Sequence, residues 1–296
     1  MLKKTLALGF ASLLLASPAC AAPDWSAVDR AIGRAGAEQA GGVHRYSFPR
    51  SDLSVTLDGV TIKPSLALGS WAAFQPMGDE AMVMGDLVLT HDEVNPVLSR
   101  LLASGFTITA LHNHLLRSSP ATMYMHIAGH GDPVKLAAAL RQALSASRTP
   151  LAAPQSPSAS AAASRLDLDV APLNRLMGGE GKTAGGILQY SFPRAERLMD
   201  GDMETPPTMG TATAINFQPT GNGRAAITGD FVLVASEVDP VLRALRANGI
   251  EVTALHNHML NDEPRLFFMH FWANDDAAKL ARGLRAALET MNNQES

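Results

Sequence analysis

The sequence contains very little cysteine, because Cys20 is the only one among 296 residues. The N-terminal segment that holds it is predicted to be removed, so the mature protein can form no disulfide and has no thiol. Lysine and arginine total 24 against 28 aspartate and glutamate, and they are scattered, so no basic patch indicates a nucleic-acid partner. The chain also lacks a phosphate-binding loop, a dinucleotide fingerprint and a recognisable Ser-His-Asp triad.

The N-terminus has the three parts of a secretory signal peptide. Two lysines precede a short apolar run at 6–16, and small residues follow at Ala19-Cys20-Ala21. The run is shorter than the roughly 20 residues that span a bilayer, and no other segment is predicted to cross one. We therefore predict that residues 1–21 are cleaved after Ala21 and that the protein is periplasmic or secreted. The alternative is a lipoprotein attached through Cys20, although Ser17 stands where a lipobox has a Leu-like residue.

Two parts of the chain resemble each other at an offset of 144 residues. Ala-Leu-His-Asn-His occurs at 110–114 and 254–258, and Tyr-Ser-Phe-Pro-Arg at 46–50 and 190–194. Only two copies exist and each is longer than about 100 residues, which indicates a pair of domains and not a solenoid. The predicted organisation is a first domain at 24–145, a flexible Ala/Ser/Pro-rich linker at 146–164, and a second domain at 165–292.

Each copy is predicted to be an α+β domain. The order strand, strand, helix, strand, strand, helix favours a mostly antiparallel sheet with helices on one face. A further helix is expected at 24–39, with a weaker counterpart at 170–177. The predicted elements of the first copy are strands at 70–74, 81–90, 106–115 and 122–128, and helices at 93–104 and from 132 onward. Asp92 is the predicted N-cap of the helix at 93–104, and Ser236 is the equivalent N-cap in the second copy.

Six of the nine histidines form two matched triplets, each a His-Asn-His motif followed by a third histidine twelve residues later. On a strand, residues i and i+2 point to the same side, and the third histidine joins them only if the strand register is even. Three converging imidazoles resemble a zinc site with one open coordination position. We predict one such transition-metal site in each copy, formed by His112, His114 and His126 in the first and by His256, His258 and His270 in the second.

Zinc is the first choice of metal, and copper is an alternative because Met125 and Met269 precede the third histidines. The competing interpretation is that the histidines are half-buried sheet residues, hydrogen-bonded to backbone or carboxylate groups. In that case the protein would be a non-enzymatic module that binds a cell-wall or other envelope ligand.

Matched charged residues are further candidates. A carboxylate could complete a metal sphere, orient a histidine or act as a general base. The candidates for this role are Asp86, Glu93, Asp230 and Glu237, of which the two glutamates equally suit the positive end of a helix dipole. Arg50 and Arg194 could bind an anionic ligand or form a structural salt bridge. Whether the protein is an enzyme, and which oligomer it forms, is left open by these patterns.

At these motifs the chain resembles the LppY/LpqO-like family of secreted bacterial proteins, whose function is uncharacterised. The resemblance covers nearly the whole mature chain twice. The first copy departs from the family pattern at Ser119-Pro120, where the second copy has Glu263-Pro264. The resemblance implies an extracytoplasmic compartment and no particular activity. The matched residues are Ser70-Trp71-x-x-Phe74, Met84-Gly85-Asp86-Leu87, Glu93-Val94, the segment Gly105 to His114, and Met125-His126.

The leading hypothesis is thus a secreted or periplasmic two-domain protein with a three-histidine metal site in each copy. Such a site permits hydrolytic chemistry on a small-molecule or envelope ligand without establishing it.

Overall fold

The computed structural model describes residues 23–152 and 166–294. The predicted signal peptide, Cys20 and most of the predicted linker lie outside the described residues. The chain forms two tandem copies of one α+β domain, each built on a mostly antiparallel sheet, as the sequence predicts.

The first copy contains four helices and eight strands among its described residues. They are α1 (Trp25–Ile32), β1 (Ala37–Glu38), β2 (His44–Pro49), β3 (Thr56–Leu57), β4 (Val60–Thr61), α2 (Pro64–Ala67), β5 (Gly69–Met77), β6 (Glu80–Thr90), α3 (His91–Ala103), β7 (Thr107–His112), β8 (Thr122–Gly131) and α4 (Pro133–Leu144).

The second copy repeats this order, except that a 3-10 turn stands in place of α2 and one short strand is added. Its elements are α5 (Val170–Met177), β9 (Lys182–Ala184), β10 (Ile187–Phe192), β11 (Met199–Asp200), β12 (Met203–Glu204), β13 (Thr213–Gly221), β14 (Arg224–Val234), α6 (Ala235–Ala247), β15 (Glu251–His256), β16 (Asp262–Glu263), β17 (Leu266–Asp276) and α7 (Ala277–Leu288).

Each copy has one six-stranded antiparallel sheet. The strand order is β1-β2-β5-β6-β8-β7 in the first copy and β15-β17-β14-β13-β10-β9 in the second. The predicted β-β-α-β-β-α order corresponds to β5-β6-α3-β7-β8-α4. The predicted set does not include β1 and β2, although β2 carries the Tyr-Ser-Phe-Pro part of a repeated motif.

One face of each sheet packs on the helices of its own copy, and the other face packs on the opposite copy. Phe74, Val83 and Met125 belong to a core cluster with residues of α1, α3 and α4. The alternate residues Met84 and Val88 belong to clusters that mix both copies. This explains why β6 is buried at nine consecutive positions, which a sheet with one solvent-facing side does not require. The layers therefore follow the order helix, sheet, sheet, helix.

Short segments also tie the copies together. The backbone N–H of Lys63, just before α2, donates to Gln218 Oε1 at 2.9 Å, and Gln218 Nε2 donates to the Thr61 carbonyl at 2.8 Å. In the other direction, a single 3-10 turn at Pro207–Met209 of the second copy reaches the first, where Thr208 Oγ1 donates to the Ala40 carbonyl. The contact between the copies is thus reciprocal.

Helix ends differ from the predicted ones for local reasons. The first helix ends at Ile32 and not at 39, because Gly33 adopts the left-handed conformation with φ 85° and its N–H donates to the Asp29 carbonyl. The third helix begins at His91 after Thr90, and Glu93 in its first turn accepts from the Thr90 N–H at 2.9 Å. The predicted cap Asp92 therefore lies inside the helix. Ser236 likewise lies inside α6, which begins at Ala235.

The first residues of the predicted linker pack on the first copy. The Arg148 N–H donates to Glu93 Oε1 at 2.8 Å, Thr149 is buried, and Arg34 Nη2 donates to the Ala152 carbonyl at 2.6 Å. At the equivalent place in the second copy, the Asn292 N–H donates to Glu237 Oε1 at 2.8 Å. The ordered part of the first copy therefore continues to at least residue 152.

Candidate metal centre

Sheet register brings the histidines of one copy to the same face. On β8, His126 lies opposite Asp86 of β6, and His112 at the end of β7 lies opposite Tyr124, two residues from His126. This register is even, so His112 and His126 project to the same side. His114 follows two residues after the strand ends. The second copy has the same pairing, with Asp230 opposite His270.

The two triplets meet between the sheets. The ring centroids of His112 and His256 are 3.4 Å apart. The centroids of His114 and His270 are 3.6 Å apart, and those of His126 and His258 are also 3.6 Å apart. These contacts are related by exchange of the two copies. The sequence predicts one site in each copy, whereas the structure joins both sites in a single cluster of six histidines, hereafter the histidine cluster.

Potential ligand atoms converge in three groups, within each of which they lie no more than 4.8 Å apart. Two groups belong to one copy each and are called the Asp-His-His groups. The third, the shared group, contains both His-x-His pairs. In each copy an aspartate thus takes the place that the sequence prediction gives to the first histidine of the motif. The groups are Asp86, His114 and His126; Asp230, His258 and His270; and His112, His114, His256 and His258.

The Nε2 atoms of the histidine cluster have no hydrogen-bond partner. All six are buried, and none has an acceptor or donor among the described residues. Asp86 Oδ1 is buried without a partner as well. Most buried polar side-chain atoms are hydrogen-bonded, and each one that is not costs about 1–3 kcal/mol. Six such atoms in one place need an explanation other than packing.

Two of the rings are oriented through their other nitrogen. His270 Nδ1 lies 2.9 Å from the Gly229 carbonyl oxygen, and His256 Nδ1 lies 3.3 Å from that of Asn257. A carbonyl accepts, so Nδ1 carries the proton and Nε2 holds a free lone pair. This is the tautomer that binds a metal through Nε2.

Burial keeps the imidazoles neutral. It lowers the pKa of His112 to about 3, with a further effect from His256, and it lowers the pKa of His256 to about 4. Burial and neighbouring histidines lower the pKa of the other four well below the usual value. The histidine cluster is therefore uncharged at neutral pH, which is the form that coordinates a metal.

The aspartates are the electrostatic counterpart. Burial raises the pKa of Asp230 to about 7, and burial together with Asp230 raises the pKa of Asp86 well above its usual range. A cation nearby would restore the ionised form. Asp86 Oδ1 and His126 Nε2 are 3.9 Å apart, too far for a hydrogen bond. Two ligands of one tetrahedral zinc ion lie about 3.4 Å apart, so a small inward shift would place both on one ion.

A cavity of about 700 Å³ opens between the two sheets and reaches the Asp-His-His groups. All six residues of these groups lie on its wall, whereas His112 and His256 do not. Its volume is in the range of small-molecule sites. A ligand in this cavity would therefore meet an ion held by either Asp-His-His group.

The other predicted site residues lie elsewhere. Arg50 is fully buried, and its five N–H groups donate to Asp52, Glu93 and the Val88 carbonyl. Arg194 makes the same five bonds, to Glu196, Glu237 and the Val232 carbonyl. Among the described residues these donors are all used, and the two glutamates also accept helix N-terminal N–H groups. The contacts support structural roles, and they support neither an anion site at the arginines nor catalysis by Glu93 or Glu237.

The methionines next to the third histidines also face away. Met125 and Met269 are buried in the helix-side cores of their copies. Both lie on the opposite face of the sheet from the histidine cluster, as strand alternation predicts, so neither is placed to act as a ligand there.

Comparison with known proteins identifies the family. The sequence matches the family described as Domain of Unknown Function (DUF1259) over residues 26–146 and again over 171–290. The chain belongs to this family. The match supports the tandem duplication and does not carry the finer LppY/LpqO name.

Other comparisons add little. No curated protein matches the chain significantly. Among solved structures, the trimeric bacterial microcompartment shell protein PduB is 14% identical, with 86% of this chain and 89% of that chain covered and a TM-score of 0.21. EtuB from Clostridium kluyveri is 7% identical, with 86% and 88% covered and a TM-score of 0.20. These scores are too low to support an argument.

Proposed function

We propose that this protein binds divalent transition-metal ions, with zinc as the first choice, in the histidine cluster that its two copies build together. The observation that carries the proposal is the convergence of six buried Nε2 atoms without hydrogen-bond partners. Structural histidines would use both ring nitrogens in hydrogen bonds, and these do not. Neutral imidazoles and carboxylates are the common ligands of zinc.

We propose two ions per chain, one in each Asp-His-His group. His114 and His258 each belong to two groups, and one Nε2 atom binds one ion. The shared group and the Asp-His-His groups therefore cannot all be filled at once. Two ions would use Asp86, which is buried, and Asp230, which is half-buried, and would compensate their charges, whereas one ion in the shared group would leave both uncompensated.

An ion with three protein ligands keeps one coordination position, and here that position would face the cavity. This supports binding of a small molecule at the ion. It also supports hydrolysis as the reaction class, because a zinc ion lowers the pKa of a bound water. The alternative, an envelope-ligand module without metal, would use the same cavity, and it leaves unexplained the four Nε2 atoms without hydrogen-bond partners in the Asp-His-His groups.

We further propose export to the periplasm or the medium, on the basis of the N-terminal sequence at 1–21. Among residues 23–152 and 166–294, no helix is both long and apolar enough to cross a membrane.

The test is the metal content of the purified two-domain protein after loading with zinc and dialysis. We expect about two zinc ions per chain by elemental analysis. The His114→Ala/His258→Ala variant should lose nearly all of them, because it removes one ligand from each Asp-His-His group and two from the shared group. The control His91→Ala/His130→Ala changes two exposed histidines and should bind zinc like the wild type. Circular dichroism checks folding. A wild type without zinc, or a folded cluster variant with unchanged zinc, would refute the proposal.

A further inference from the structure

The cavity beside the histidine cluster is asymmetric, although the two copies share a fold. Trp71 lies opposite Asp86 in the first copy, and the residue in that place opposite Asp230 is Ala214. Arg45 on β2 corresponds, at the repeat offset, to Gln189 on β10. All four residues line the cavity. One end of the cavity therefore has a cation and an indole ring, and the other end has an amide and a methyl group.

The Arg45 side chain is held by both copies. Its guanidinium carbon lies 3.8 Å from the centroid of the Trp71 ring, and Nη1 donates to the Thr208 carbonyl of the second copy at 3.1 Å. Gly210 allows this approach, because a Cβ there would lie 2.6 Å from Trp71 Cη2 and its φ is +92°. The guanidinium is thus fixed in place by stacking and by one hydrogen bond.

Most hydrogen-bonding capacity of Arg45 is unused. A guanidinium has five N–H donors, and a single hydrogen bond from Arg45 to the described residues is present. Arg50, by contrast, uses all five of its donors. Since Arg45 lines the cavity, its remaining donors are available to a molecule inside. A fixed guanidinium with free donors matches a carboxylate or a phosphate group.

The local charge favours an anion once metal is bound. Burial lowers the pKa of Arg45 to about 10, so it stays protonated at neutral pH. When bound metal ionises both aspartates, the charges of Arg45, Asp86 and Asp230 sum to −1, and two divalent ions bring the total around the cavity to about +3. A positive cavity in low dielectric binds an anion strongly.

We propose that Arg45 binds the anionic group, a carboxylate or phosphate, of a small molecule that occupies the cavity between Trp71 and the metal ions. Hydroxyl and amide groups of Ser47, Gln189 and Asn216 also line the cavity, which fits a polar ligand body. Because the second copy has Gln189 in place of the arginine, the ligand would bind in one orientation. This inference rests on the proposed metal binding for part of the positive charge.

The experiment is calorimetric titration of the zinc-loaded protein with inorganic phosphate and, separately, with succinate. The wild type should bind at least one of them, and the stronger probe distinguishes a phosphate site from a carboxylate site. Arg45→Gln, which introduces the residue of the second copy, should weaken binding by about ten-fold or more. Arg45→Lys should recover only part of the affinity, because it keeps the charge and loses the fork geometry. The control Arg243→Gln changes an exposed arginine and should bind like the wild type.

Zinc content, measured on the same samples, separates the two proposals. A wild type that carries no zinc refutes the metal proposal. If Arg45→Gln carries normal zinc and binds the anion as the wild type does, the anion site is refuted. It is also refuted if the zinc-loaded wild type binds neither probe at millimolar concentration.

Discussion

His114 of the first copy stacks on His270 of the second, with the ring centroids 3.6 Å apart. His258 makes the equivalent contact with His126 in the other direction. Each copy therefore supplies part of the surroundings of the histidines proposed as metal ligands in the other copy. A substitution in one Asp-His-His group should therefore alter the other group as well, so variants with a single substitution are informative.

Asp86→Asn should stabilise the metal-free protein and weaken zinc binding. Asp86 Oδ1 is buried without a partner, and burial together with Asp230 raises its pKa. An amide of similar shape removes the buried charge, so at pH 8 we expect the free energy of unfolding without metal to rise by about 1 kcal/mol or more. Zinc affinity should fall by about ten-fold or more, since a charged ligand is lost.

Thermal melts with and without zinc measure both effects. The matched control is Asp79→Asn, an exposed aspartate on the same hairpin, which should change neither quantity. Equal melting temperatures of Asp86→Asn and the wild type in both conditions would contradict the assignment.

The metal-free protein should lose stability as the pH falls below about 6.5. Burial lowers the pKa of His256 to about 4 and of His112 to about 3, and the other four histidines of the cluster shift in the same direction. Below pH 6.5 the unfolded chain therefore binds more protons than the folded one. The contribution of the histidines to the free energy of unfolding is complete above pH 6.5 and decreases as the pH is lowered. Each histidine contributes up to about 1.4 kcal/mol per pH unit.

The raised pKa of Asp230, about 7, acts in the opposite direction, because the folded state then binds a proton that the unfolded chain has released. Asp86 acts in the same sense as Asp230. Six histidines outweigh two aspartates, so the net loss toward acid remains. Urea unfolding from pH 8 to pH 5 in the presence of a chelator measures it, and a flat profile would show that the imidazoles are not buried in the neutral form.

The sequence predicts most of the fold and the residues of the cluster, but not its assembly. The sequence leaves the register open, because His126 shares a face with His112 only if the pairing is even, whereas apolar runs bounded by turn residues locate the main strands. The joining of both triplets depends on the packing of two sheets, which no motif encodes directly. The sequence contains one signal of this packing. Between its two end residues, β6 is apolar on both faces except at Gly85 and Asp86, which indicates a second packing layer and a polar site within it.

The sequence does not decide the roles of Arg50 and Glu93, because an Arg–Glu pair present in both copies fits a ligand site and a buried ion pair equally well. Only the contacts separate them, since all five donors of Arg50 meet protein acceptors. Arg45 shows the reverse situation. It lies outside the repeated motif, and its position beside the cavity depends on Trp71 and on the opposite copy.

Arg50→Met should destabilise the fold without removing the metal site. Its loss leaves Glu93 and Asp52 as buried or half-buried carboxylates without their partner, which costs about 3–5 kcal/mol. Chemical denaturation should show this decrease in the free energy of unfolding, while folded protein at low temperature keeps its zinc. Arg243→Met, which breaks an exposed pair, should cost less than about 1 kcal/mol. Zinc loss from folded Arg50→Met would indicate a role at the metal centre instead.

Processing of the N-terminus can be checked by intact mass analysis of the protein from its native host. We expect the mature chain to begin at Ala22, because Ala19-Cys20-Ala21 forms an Ala-x-Ala site. A diacylglyceryl group on Cys20 would instead establish the lipoprotein alternative.

The face-to-face packing of the two sheets has a consequence for how the chain can evolve. The histidine cluster needs two copies of the domain, so a chain with a single copy could build the same cluster only by pairing with a second chain. Fusion of two copies removes that dependence on concentration. It also frees the two halves to diverge wherever symmetry is not needed, as Arg45 and Gln189 have done, while the histidines of each half stay packed against those of the other.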